Sequence, residues 1–111
     1  MDDAHKKTAL RMIPYGLYVM TAENGGEVAA ATVNWVTQTS FSPPLVAVGV
    51  KTDSGAYGLS RAAGHFALNF LGKGQQGPAF AFFKPAARDG NTINGEPYRT
   101  GTSGAPVLEN A

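Results

Sequence analysis

A chain of 111 residues suits a single domain, residues 1–111, that buries roughly 60 to 68% of its unfolded surface on folding. Nine Lys and Arg against eight Asp and Glu leave a net charge of +1 scattered along the chain, which argues against nucleic acid or an anionic membrane surface as partner. The lack of cysteine excludes disulfides, thiolate metal sites and a cysteine nucleophile. The polar start, with Asp2, Asp3, Lys6 and Lys7, has no leader-like apolar stretch, and no apolar run reaches the ~20 residues of a membrane span. A soluble cytoplasmic protein is therefore expected.

In chain order, Asp2 and Asp3 can cap a short helix over residues 4–12, ended by Pro14. Its few apolar positions predict that it leans on another element. The segment GLYVMTA over 16–22 is rich in β-branched and aromatic residues and predicts a strand. Glu23-Asn24-Gly25-Gly26 predicts a hairpin turn into a second strand over 28–33, because Asn and Gly accept positive φ. Residues 32–44, TVNWVTQTSFSPP, read as a polar connection between strands. LVAVGV over 45–50 is a continuous apolar run, expected as a strand buried on both faces or inside a barrel wall.

Residues 54–63 predict a helix with Asp53 or Ser54 as its N-cap and Gly64 as its stop. HFALNFL over 65–71 predicts a strand, and 75–83 a second helical stretch closed by Lys84-Pro85. Residues 86–106 read as irregular, with a weak strand signal near Tyr98, before the apolar Pro106-Val107-Leu108. The fold class expected is mainly β with short helices, a small β-barrel with helical additions.

Two segments carry the chemistry. The 32–44 connection combines Thr32, Asn34, Thr37, Gln38, Thr39, Ser40 and Ser42 with the aromatic residues Trp35 and Phe41. Hydroxyls and amides donate and accept, so they suit a ligand with many oxygens, and the aromatics suit a planar ring. The same residues also describe an ordinary Ser/Thr-rich loop with one core Trp. Lys51-Thr52-Asp53-Ser54 places a cation at the start of a helix, where free N–H groups attract phosphate. It reads equally as a plain N-cap beside a surface lysine.

Other motifs fall short. Gly72-Lys73-Gly74-Gln75-Gln76-Gly77 matches G-x-G-x-x-G, but no parallel apolar strand ending in an acid follows it. His5 and His65 have no partner at metal spacing, so no metal site is expected. Asp89, Glu96 and Glu109 form no persuasive acid/base pair, and no serine sits in a nucleophile elbow. No catalytic side chain is expected.

The stretch ATVNWVTQTSFSPPLVAVGVK resembles the central motif of the flavin reductase-like, FMN-binding split β-barrel family. GLYVMTA before it, HFALNFL and the segment ending in Phe82-Phe83 after it, and SGAPVLENA near the end are similar to flanking family motifs. The combination of Trp35, Gln38 and Phe41 is most similar to the flavin reductase-like domain of diiron flavoproteins. The resemblance implies FMN as cofactor, with Thr32 and Asn34 at the flavin ring and its polar edge, and Trp35 stacking on or shielding it. It implies Gln38, Thr39 and Ser40 at the ribityl chain and phosphate, partly through their backbone, and Lys51 and Ser54 at the phosphate end.

The family's domains usually run on for several more strands, so the resemblance implies a barrel shortened at its C-terminus, either a reduced variant or a fragment. It further implies a homodimer with FMN near the interface, and NAD(P)H as reductant. The expected activity is hydride transfer from NAD(P)H to flavin, with a flavin or a redox partner protein as acceptor. The alternative is a non-catalytic FMN carrier that relays electrons between proteins.

Overall fold

A computed structural model describes residues 2–111. Asp2 caps helix α1 (Asp3–Arg11), its carboxylate accepting from the Ala4 N–H at 2.9 Å. Asp3 in the first turn and Arg11 in the last complement the helix dipole. The expectation that this helix leans on the fold is corrected: every described residue up to Leu17 is exposed. Its apolar side chains, Leu10 foremost, are too few to outweigh the polar ones around the rest of the helix.

Strands β1 (Tyr18–Asn24) and β2 (Glu27–Val33) pair antiparallel. The turn between them is Gly25-Gly26, with φ of +60° and +87°, so both positions demand a residue tolerant of positive φ. Two further strands lie inside the segment read as a polar connection. Residues Val36–Phe41 form β3, which pairs with β4 (Pro44–Val48) across an irregularity between Gln38 and Ser40. The polar Thr37, Gln38, Thr39 and Ser40 hid that strand, because no apolar alternation marks it.

The burial expected for residues 45–50 is also corrected. The hairpin of β3 and β4 is a separate two-stranded sheet, and Pro44, Leu45, Val46 and Ala47 are exposed in this single chain. Helix α2 (Gly55–Ala63) follows as predicted, with Ser54 Oγ accepting from the Tyr57 N–H at 3.1 Å and Gly64 left-handed at φ +78°. Strand β5 (Ala67–Phe70) joins the other edge of β1, giving the order β2-β1-β5. The G-x-G-x-x-G segment is a turn into the six-residue helix α3 (Gln76–Ala81), with the Gly72 N–H bonded to Gln75 Oε1.

The stretch read as irregular is a meander of four strands, β6 (Arg88–Asp89), β7 (Thr92–Ile93), β8 (Glu96–Thr100) and β9 (Pro106–Leu108). Asp89-Gly90 and Asn94-Gly95 were the available signals: Gly90 has φ +61°, and Asn94 and Gly95 have φ of +51° and +83°. The meander supplies Ile93 and Leu108 to the core, where they meet Val19, Ala30 and Phe82.

One buried side chain ties these parts together. Asn69 of β5 is 4% exposed. Its amide donates to the Val19 carbonyl at 2.9 Å and to Thr21 Oγ1 at 3.3 Å, and its Oδ1 accepts from the Leu108 N–H at 2.8 Å. Thr21 Oγ1 in turn donates to the Pro106 carbonyl at 2.5 Å. Removing the amide strands several buried polar groups, each costing about 1 to 3 kcal/mol. Asn69→Ala is expected to lower unfolding free energy by about 3 kcal/mol or more in a denaturant titration; a loss under ~1 kcal/mol would show that the network is dispensable.

Candidate functional site

A pocket of about 340 Å³ opens where β2 ends, β3 begins, β4 passes into the start of α2, and the chain leaves α3. Thr32, Asn34, Trp35, Lys51 and Ser54 all line it. The remaining expected site residues lie farther along the hairpin. Gln38 and Ser40 line a separate groove of about 440 Å³ with Tyr18, Leu45 and Phe70, and Thr39 is an exposed residue between them on β3. The eight residues therefore divide into two groups.

Local chemistry positions each wall. The Thr32 hydroxyl donates to the Ala79 carbonyl at 2.6 Å, and the Thr32 N–H bonds the Phe82 carbonyl at 3.2 Å. Thr32 thus latches β2 to α3, and its side chain can offer a ligand only acceptor lone pairs. Trp35 accepts from the Gly49 N–H through its carbonyl at 2.8 Å, and its ring lies across that glycine. A Cβ at residue 49 would stand 3.1 Å from Trp35 Cβ and 3.2 Å from Cε3, so only glycine seats the indole without displacement.

Lys51 and Ser54 close a tight turn. Both the Ser54 N–H and its hydroxyl donate to the Lys51 carbonyl, at 3.1 and 2.7 Å. The lysine head is exposed, and the only ion pair found among the described residues joins His5 to Asp2, so Lys51 has charge to give an anion. The α2 N-terminus adds positive partial charge beside it. Asp53, on the same turn, lines an adjoining pocket with Lys84.

Ala31, Val33, Gly49, Val50, Phe82 and Phe83 complete the pocket and were not among the expected site residues. A glycine within the apolar run 45–50 was the readable signal for Gly49, since it marks close approach of another group to the backbone. Phe82 stands in a segment that resembles a family motif, but no local chemistry marks it as a wall of this pocket, because its position depends on α3 folding back onto β2. A larger cavity, about 610 Å³, lies between Met20, Val46, Val48, Tyr57 and Phe66; it holds none of the expected residues. One flat exposed indole, one amide, one free cation and a helix start suit a planar ring carrying a polar edge and a phosphate.

The family model for the flavin reductase-like domain matches residues 10–111. The chain belongs to that family. This flavin reductase-like domain is 31% identical over 110 residues to diflavin flavoprotein A 1 of Synechocystis, covering 98% of this chain and 19% of that protein. It is 31% identical over 87 residues to the reductase component of a 4-nitrophenol monooxygenase of Rhodococcus opacus, covering 78% of this chain and 47% of the relative. The NADH:FAD oxidoreductase of Streptomyces globisporus superposes with a TM-score of 0.78 at 29% identity, over 100% of this chain and 69% of that one.

The chain therefore spans about a fifth of its diflavin relative and about half of the Rhodococcus reductase component. The expected class, mainly β with short helices and of the flavin reductase split-barrel type, holds for the domain. Among the described residues no helix is long and apolar enough to cross a membrane.

The Thr32 latch yields a prediction. Thr32→Val keeps the side-chain shape and deletes one hydrogen bond, so it is expected to lower stability by about 1 kcal/mol in urea. A loss of flavin affinity without any loss of stability would instead make the hydroxyl a ligand contact.

Proposed function

We propose that this domain binds FMN and passes a hydride from NAD(P)H to flavin. The carrying observation is the convergence of Asn34, Trp35, Lys51 and Ser54 on one pocket in a flavin reductase-like domain. Lys51 holds the phosphate, with Ser54 and the first N–H groups of α2 beside it. Asn34 meets the polar edge of the ring, and Thr32 lies at its border. Gln38, Thr39 and Ser40 reach the ribityl chain only if the hairpin closes toward the pocket or a second subunit presents it.

When bound, the flavin supplies the electron acceptance, so the protein needs only to orient the ring and exclude water. No side chain has to act as acid or base. The reading locates the domain in the cytoplasm, with a flavin or a redox protein as acceptor. It also includes a homodimer with FMN near the interface. Phe41, Leu45, Val46 and Phe70 are all exposed on the hairpin and the neighbouring β5, Phe41 at 87%, and exposed apolar residues on these neighbouring strands support a partner surface. Light scattering is expected to give twice the chain mass; a monomer that still holds FMN would remove the dimer from the reading.

A second reading has its own support. The relative aligned over 98% of this chain is a diflavin flavoprotein about five times longer, in which such a domain is one part of a larger protein. Under that reading the FMN relays electrons between proteins and nicotinamide does not reduce it.

An anaerobic visible spectrum of the FMN-loaded protein, before and after NADH or NADPH, separates the two. Bleaching of the flavin band supports the reductase; retained colour with FMN still bound supports the carrier. Lys51→Ala is expected to weaken FMN roughly tenfold, the usual scale of one charge-assisted contact, and riboflavin much less. Equal loss for both ligands would remove Lys51 from the phosphate site.

A further inference from the structure

We infer that the 610 Å³ cavity is a second binding site, for a small molecule with an apolar body and one carboxylate, held by Arg61 and Tyr57 of α2. The site does not rest on the flavin reading, because its lining shares only Val50 with the 340 Å³ pocket. Three elements wall it. Val46, Val48 and Val50 alternate along β4 and its exit, so they share one face of the chain. Met20 of β1 and Phe66, just before β5, form the second wall, and α2 forms the third. A volume of this size with mostly apolar walls and a few placed polar groups is the usual make-up of a small-ligand site.

The hydrogen-bond inventory of those polar groups sets the ligand's chemistry. Tyr57 and Arg61 stand one helical turn apart on α2, and Arg61 Nη1 donates to the Tyr57 hydroxyl oxygen at 2.7 Å. That bond leaves the Tyr57 proton and the other guanidinium N–H groups to donate. The remaining polar side chains are already engaged. Ser60 Oγ donates to the Tyr57 carbonyl at 3.2 Å, and His65 Nδ1 donates to the Ala63 carbonyl at 3.1 Å. His65 Nε2 has no partner, but it is closed off from solvent, so a ligand in the cavity does not reach it.

No acid lines the cavity, and among the described residues the only ion pair joins His5 to Asp2, so the Arg61 charge is uncompensated. The polar groups therefore offer donors and a positive charge. A carboxylate suits them, being planar, acceptor-only and matched to the guanidinium fork. The apolar walls suit the rest of the molecule, whose burial supplies affinity that a bare inorganic anion lacks.

2-Naphthoate is the probe, its own fluorescence reporting uptake in equilibrium dialysis. Wild-type protein is expected to take it up. Arg61→Gln is expected to weaken it roughly tenfold, the scale of one charge-assisted contact. 2-Naphthamide, the same ring without the charge, is expected to bind wild type and Arg61→Gln within about threefold of each other. Val46→Asp sets a carboxylate against that of the ligand and is expected to cut naphthoate uptake with an unchanged circular dichroism spectrum, because Val46 is 51% exposed. Lys51→Ala is expected to leave naphthoate uptake unchanged.

Wild-type protein that takes up no naphthoate at about 1 mM overturns the site, as does Arg61→Gln with wild-type affinity. Loss of uptake in Lys51→Ala puts the naphthoate in the flavin pocket and overturns it too. If FMN does not bind while the Arg61 dependence holds, the proposed function falls and this site stands.

Discussion

The Asn69 amide is the interaction on which the rest of the fold depends. Strands β1 and β5 would pair without it through their backbones, but β9 approaches them only through side chains of the sheet. Asn69 and Thr21 together satisfy a carbonyl and an N–H of β9 that would otherwise be buried without partners. That attachment brings Leu108 against Val19, and the rest of the meander brings Ile93 alongside. A buried amide costs desolvation unless its groups are bonded, and here its carbonyl oxygen and its amide nitrogen both find protein partners.

The core so assembled also fixes one wall of the pocket. Phe82 is buried among the same side chains, and its carbonyl receives the Thr32 N–H. The Thr32 hydroxyl donates to the Ala79 carbonyl within α3, so the end of β2 is bound at two points, to the helix and to the residue that ends it. The opposite wall is built differently. Trp35 and Gly49 face each other at the base of the hairpin through one backbone bond and a ring laid over a glycine. One half of the site therefore belongs to the packed core and the other to the root of a nearly free hairpin.

Much of this was legible in the sequence, for identifiable reasons. Ser54 and Gly64 bound α2 because a hydroxyl N-cap and a left-handed glycine are local features that need no tertiary knowledge. The Gly25-Gly26 turn fixed the β1–β2 register in the same way. Asn34, Trp35, Lys51 and Ser54 were recognisable by residue type and do share a pocket. What escaped was set by distant contacts. β3 carries no apolar alternation and most of its residues are exposed in the single chain, and β6 to β9 are short strands marked mainly by their turns, with only β9 held by Asn69. Thr32 was legible as polar, but its use as a latch depends on α3, 47 residues away in sequence.

The independence of the hairpin has a consequence for how the domain moves. Its strands bond only to each other. In the single chain such an element is expected to open at a smaller free energy than the sheet it adjoins, and its amides are expected to exchange faster than those of β1. Part of the binding energy of any ligand seated at the hairpin root is then consumed in ordering it, and affinity and hairpin stiffness rise together. The pocket is half vice and half hinge: one wall is packed into the core, and the other stands at the root of a hairpin that the core does not hold.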